Sequence, residues 1–121
     1  MPSILVVDDE PAIREMLGAT FTIAGYTVYE AEDTVGAIGF LRRKRPDLMI
    51  LDWLLPGQSG IDFLRELRCS PATATLPVIM EHAHYGKIKS RDSFSRFEEN
   101  IIKAVEDYHA TYLSIHYWPY E

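Results

Sequence analysis

Pro46-Asp47-Leu48-Met49-Ile50-Leu51-Asp52-Trp53-Leu54-Leu55-Pro56-Gly57 is the stretch that decides the fold. Its centre, Leu48 to Leu51, is a short unbroken apolar run. A run of that length without polar alternation suits a strand covered on both faces, as in a parallel sheet. It stops at Asp52, which puts a charged side chain at the strand's carboxyl end. Pro56, Gly57 and Gly60 then mark a loop. A helix pattern follows, with Ile61, Leu64 and Leu67 on one face and Phe63 beside them.

The same grammar recurs on either side. Ile4-Leu5-Val6-Val7 is a second buried-strand run, ending in Asp8-Asp9-Glu10-Pro11. Proline just inside an element and acids around its start signal a helix N-terminus. Ile13, Met16, Leu17, Thr20 and Phe21 recur at helical spacing until Gly25 closes the helix. Thr27 to Ala31 reads as another strand, and a further helix carries Val35, Ile38 and Leu41. The basic cluster Arg42-Arg43-Lys44-Arg45 reads as a solvated helix end that complements the helix dipole, in preference to a partner patch. Pro77 to Met80 is the fourth strand. Strands alternating with helices predict an α/β fold with a parallel sheet and right-handed crossovers.

After Met80 the texture changes. All four histidines, His82, His84, His109 and His116, lie there, with most of the aromatics. Phe94, Phe97, Ile101, Val105 and Tyr108 share one face of a helix expected over Ser93 to His109. Tyr112 to Trp118 reads as a fifth strand, stopped by Pro119. No internal repeat or low-complexity tract is evident.

At 121 residues the chain has the size of one domain, and 47% hydrophobic residues can supply its core. A net charge of -6 argues against non-specific nucleic-acid binding, because phosphates would be repelled. A single cysteine, Cys69, excludes an internal disulfide framework and is expected to be a small apolar filler. No apolar run approaches the roughly 20 residues that span a bilayer. Met1-Pro2-Ser3 runs into a strand with no basic region. A cytoplasmic location is the expectation.

Asp8 and Asp9 end the first strand and Asp52 ends the third. In an open parallel sheet, ligands sit beyond the carboxyl ends of the strands. Three carboxylates meeting there repel unless a cation neutralises them, and oxygen ligands at an exposed edge suit Mg²⁺. A carboxylate so placed can attack a phosphoryl group, with the metal shielding charge. The competing reading is that these acids only cap helices or solvate loops.

Four segments in order bear on that choice: Ile4 to Pro11, Pro46 to Gly57, Ser59-Gly60-Ile61-Asp62-Phe63-Leu64-Arg65-Glu66-Leu67-Arg68, and Leu76 to Met80. Together they resemble the receiver domain of two-component response regulators, in the branch typified by phosphate-regulon transcription factors. The resemblance covers residues 3 to 80. It implies a flavodoxin-like, CheY-like five-stranded sheet with order 2-1-3-4-5 and helices on both faces. It implies that Asp52 is phosphorylated by a histidine kinase. It implies a Mg²⁺ site of Asp9, Asp52 and the backbone carbonyl of Leu54, with Asp8 the other acid of the pair, often acting through water. The reaction would be phosphoryl transfer to the protein itself, so the chain is not expected to be an enzyme in the usual sense. Residues 1–121 are expected to form one domain, with 1–80 the typical receiver part and 81–121 the atypical one.

The resemblance fails after Met80. The family expects a Thr or Ser after the fourth strand, where His82 stands, and a Lys before a Pro at the end of the fifth, where Trp118 stands. An indole cannot neutralise a phosphate as an ammonium does, so switching is expected to be impaired. The last receiver helix is expected to be missing, leaving an apolar face for a second copy or a partner chain. A junction of two unrelated segments, natural or engineered, would explain the break. Two other readings stay open. One is a Zn²⁺-type metal protein using His82, His84 and His116. The other is a scaffold that kept the fold and lost signalling. A nucleotide-binding fold lacks support, because acids stand where phosphate-cradling glycines would be needed.

Overall fold

The computed structural model describes residues 2–81 and 99–107. Four strands and three helices alternate: β1 (Ser3–Val7), α1 (Pro11–Ile23), β2 (Thr27–Ala31), α2 (Thr34–Leu41), β3 (Leu48–Asp52), α3 (Gly60–Cys69) and β4 (Val78–Glu81). The strands pair in parallel in the order β2-β1-β3-β4. This agrees with the expected order over the four described strands. The fifth strand expected at Tyr112 to Trp118 lies outside the described residues.

The helix boundaries follow local chemistry. Pro11 sits at the start of α1, where its missing N–H costs no hydrogen bond. Gly25, at φ +100°, lets the chain turn out of that helix. Asp33 and Ser59 cap α2 and α3 by accepting from the Gly36 and Asp62 N–H groups.

Alternation along each strand sorts the core into two layers. Leu5, Val7, Met49, Leu51, Val78 and Met80 face α2 and α3, meeting Ala37, Phe63, Leu64 and Leu67. Ile4, Val6, Leu48, Ile50 and Ile79 face α1, meeting Ile13, Leu17 and Phe21. The helical segment 99–107 joins the second layer, burying Ile101, Ala104 and Val105. This overturns the expectation of a bare face. A right-handed crossover that continued outward from β4 would place its helix on the α2–α3 side. Instead the segment packs on the α1 side, against the layer that holds Ile13, Leu17 and Phe21.

Three smaller expectations also change. Val35 is 77% exposed, because α2 is short and turns only Thr34 and Ala37 fully inward. Cys69 is exposed at the end of α3 and fills no core space. The basic cluster begins only at the cap of α2, and two of its members act as clasps. Lys44 donates to the Tyr29 hydroxyl at 2.6 Å and lies over its ring, while Arg45 donates to the Ala72 carbonyl at 2.8 Å. No helix among the described residues is long and apolar enough to cross a membrane.

Truncating Ile101 tests the packing of segment 99–107. Ile101 is fully buried, so Ile101→Ala should lower unfolding free energy by about 3 kcal/mol in urea denaturation. A loss near zero would mean that the segment does not hold this layer closed.

Candidate functional site

The pleat that sorts the core also builds the site. Asp8 follows Val7, Asp52 follows Leu51 and Glu81 follows Met80, so all three continue the alternation onto the α1 side. Parallel register lines them up. Val7 pairs with Leu51, which brings Asp8 next to Asp52, and Asp52 pairs with Glu81. Asp9 lies one residue beyond Asp8 in the loop that leads to α1. Carboxylate oxygens of Asp8, Asp9 and Asp52 lie within 4.8 Å of one another.

The burial of the three is uneven. Asp8 is 1% exposed and Asp52 6%, whereas Asp9 faces solvent. Asp8 Oδ1 accepts from the Glu10 N–H at 2.8 Å. Its Oδ2 is buried and accepts no hydrogen bond from an N–H or O–H among the described residues. Arg14 does not neutralise the cluster directly. Its guanidinium donates to the Asp8 carbonyl oxygen at 2.7 Å and pairs with Glu30 at 3.4 Å. Asp52 Oδ1 accepts from the Leu54 N–H at 3.2 Å.

Close contact fixes the loop that follows β3. Gly57 takes φ +82°, and Gly60 packs so tightly on Asp52 and Trp53 that a Cβ there would collide with backbone. The Gly60 N–H donates to the Trp53 carbonyl at 2.7 Å.

Electrostatics follow from this geometry. Burial first, and then repulsion from Asp8, push the Asp52 carboxyl up to about 8, against the pull of the Leu54 N–H. Burial also raises Asp8. An all-oxygen donor set of this kind, with one buried oxygen lacking a donor, suits a hard divalent cation that would relieve the repulsion.

The structure therefore brings together Asp8, Asp9 and Asp52, with Leu54 two residues further along the chain. His82, His84, His116 and Trp118 lie outside the described residues. Glu81 is a further, fully buried carboxyl beside this site that the acidic motifs do not include. Its signal was its position, one step past an apolar strand and in register with Asp52.

A carboxyl whose folded pKa exceeds its unfolded value binds more protons folded than unfolded between the two values. Stability therefore falls as pH rises through that window. For Asp52 the window runs from 3.8 to about 8. Urea midpoints in cation-free buffer should show this loss, and Asp52→Asn should make the decline with pH shallower. An equal decline in that variant would contradict the burial of Asp52.

Comparison with known proteins agrees with this geometry. The response regulator receiver domain family matches residues 4–94. The phosphate regulon transcriptional regulatory protein PhoB of Pseudomonas aeruginosa is 46% identical over 78 residues, covering 64% of this chain and 34% of PhoB. The chain thus spans about a third of the length of the curated relatives it matches. The response regulator TrrA of Thermotoga maritima, solved in complex with Mg²⁺-BeF, aligns with TM-score 0.66 and 31% identity over 85% of this chain and 98% of that one. The receiver domain of sensor histidine kinase PA1611 from Pseudomonas aeruginosa, solved with magnesium in its active-site cleft, aligns with TM-score 0.63 and 27% identity, covering 75% of this chain and 72% of that one. With its sheet order, its acidic edge and three quarters of its length in agreement, this chain belongs to the response regulator receiver domain family.

Proposed function

We propose that this domain accepts a phosphoryl group on Asp52 from the phosphohistidine of a histidine kinase, as one step of a two-component phosphorelay. The observation that supports this reading is the meeting of three carboxylates at one sheet edge, with a buried Asp8 oxygen lacking a donor. An Asp52 oxygen attacks phosphorus, the bond from phosphorus to the imidazole nitrogen breaks, and an acyl phosphate remains on Asp52. Asp52 must attack as the carboxylate, so the burial that favours its protonated form works against transfer at low pH.

Asp8, Asp9, Asp52 and the backbone carbonyl of Leu54 would hold Mg²⁺. When bound, that ion neutralises the carboxylates and the incoming phosphate oxygens. Exposed Asp9 leaves the edge open to solvent, while buried Asp8 and Asp52 keep fixed positions. Two relatives of known structure were solved with magnesium, which supports the choice of ion.

The product is the modified domain itself, so its role is signalling by self-modification in the cytoplasm. We assign it no direct contact with nucleic acid, since its net charge is -6. Residues 1–121 are read as one unit whose atypical part, 81–121, has a separate origin. With His82 and Trp118 in place of the family's hydroxyl and ammonium, phosphorylation is coupled weakly, if at all, to a change of state.

Incubation with a small phosphodonor and Mg²⁺, followed by intact-mass measurement, tests the reading. A gain of one phosphoryl group, lost in Asp52→Asn, is the expected outcome. No gain in the parent protein, or an equal gain in the variant, would overturn it.

A further inference from the structure

Asp8 and Asp9 are joined by one peptide unit, which lies where β1 leaves the sheet. The Asp8 N–H still donates to the Ala31 carbonyl of β2 at 3.1 Å. The Asp8 carbonyl, on the other side of the residue, accepts from the Arg14 guanidinium at 2.7 Å. Arg14 stands near the start of α1, and its Nε pairs with the Glu30 carboxylate of β2 at 3.4 Å. The guanidinium thus links three elements: it extends from α1, holds the tip of β1 and is held by β2. Its side chain is only 17% exposed, so these contacts escape much of the solvent screening that weakens surface ion pairs. Gly18, one turn further along α1, leaves the room. A Cβ there would come within 3.3 Å of Glu30 Oε2, so the bare glycine lets the carboxylate keep its place beside Arg14.

A peptide unit is planar, so fixing its carbonyl oxygen fixes the orientation of the whole plane. Here that plane joins two of the three residues whose carboxylates meet at the sheet edge. Asp8 is buried and already held by the Ala31 carbonyl and the Glu10 N–H. Asp9 is exposed, and its Cα belongs to the clamped plane. We propose that Arg14, braced by Glu30, is a positioning residue for the cation site, clamping the Asp8–Asp9 peptide so that the Asp9 carboxylate stays beside that of Asp52. The inference rests on the cation site proposed above. A positive side chain near a dication also repels it, and the Glu30 carboxylate offsets that charge. Repulsion and clamping therefore pull cation affinity in opposite directions, which makes them separable.

Calorimetric titration with Mg²⁺ compares the parent, Arg14→Met, Glu30→Met and the double variant, with circular dichroism to confirm folding. Met keeps an apolar stem of similar length and removes the donors. If Arg14 acted through charge alone, Arg14→Met would bind Mg²⁺ more tightly, and the double variant, with the parent's net charge, would match the parent. The clamp gives the reverse. Arg14→Met should bind about tenfold more weakly, the usual loss when a group that orients a metal ligand is removed. Glu30→Met should also bind more weakly, and the double variant should stay about as weak as Arg14→Met, since both residues act on one contact. Parent-like or tighter binding in folded Arg14→Met, or parental affinity in the double variant, would overturn the proposal. Glu30 is exposed, so Glu30→Met decides the matter if the Arg14 variants do not fold: weaker binding supports the clamp, and parent-like affinity overturns it. If the parent itself binds no Mg²⁺, the cation site falls and this inference falls with it. That outcome is separate from one in which the parent binds and the variants match it.

Discussion

Asp8 and Asp52 are buried side by side at the tips of neighbouring strands, and the sheet has to hold them there against their mutual repulsion. In water two such groups would drift apart or stay hydrated. Here they can do neither, because β1 and β3 form the centre of the sheet and every residue from Ile4 to Val7 and from Leu48 to Leu51 is buried. Hydrophobic burial on both faces, worth roughly 25 cal/mol per Å² of apolar surface, supplies the stability that keeps the strained edge in place. The site is thus a local cost carried by a large core. A divalent cation would relieve it.

The surrounding parts serve that edge. Gly60 lets α3 begin directly against Asp52, and the Leu54 N–H steadies the Asp52 carboxyl. Arg14 grips the backbone of Asp8 and leaves its carboxyl for other partners. Glu81 adds a fourth acidic side chain on the same side of the sheet. Segment 99–107 closes the layer beneath it through Ile101 and Val105.

Much of this was legible in the residues. Continuous apolar runs at Ile4–Val7 and Leu48–Leu51 announced strands covered on both faces. Each ended in an acid, so the meeting of Asp8, Asp9 and Asp52 followed once the strands were taken as neighbours. Gly25 and Gly57 marked turns that require positive φ. Other features depended on tertiary packing that periodicity does not carry. Val35 fits a helical stripe, yet α2 is short and rotated so that Val35 faces water. Arg45 and Lys44 looked like a solvated tail because their partners, Ala72 and Tyr29, lie far away in sequence. The side of the sheet taken by residues 99–107 could not be read from a hydrophobic stripe, since either layer would have accepted it. Glu81 escaped notice because a single acid after an apolar strand looks like a loop residue until register places it beside Asp52.

Carboxyls brought together at these strand ends have to act as one ligand for a doubly charged ion. Crystals grown or soaked with Mn²⁺ answer this directly through anomalous scattering. One strong peak bounded by the Asp8, Asp9 and Asp52 side chains is expected. A strong peak elsewhere on the domain, with none between these three, would contradict it.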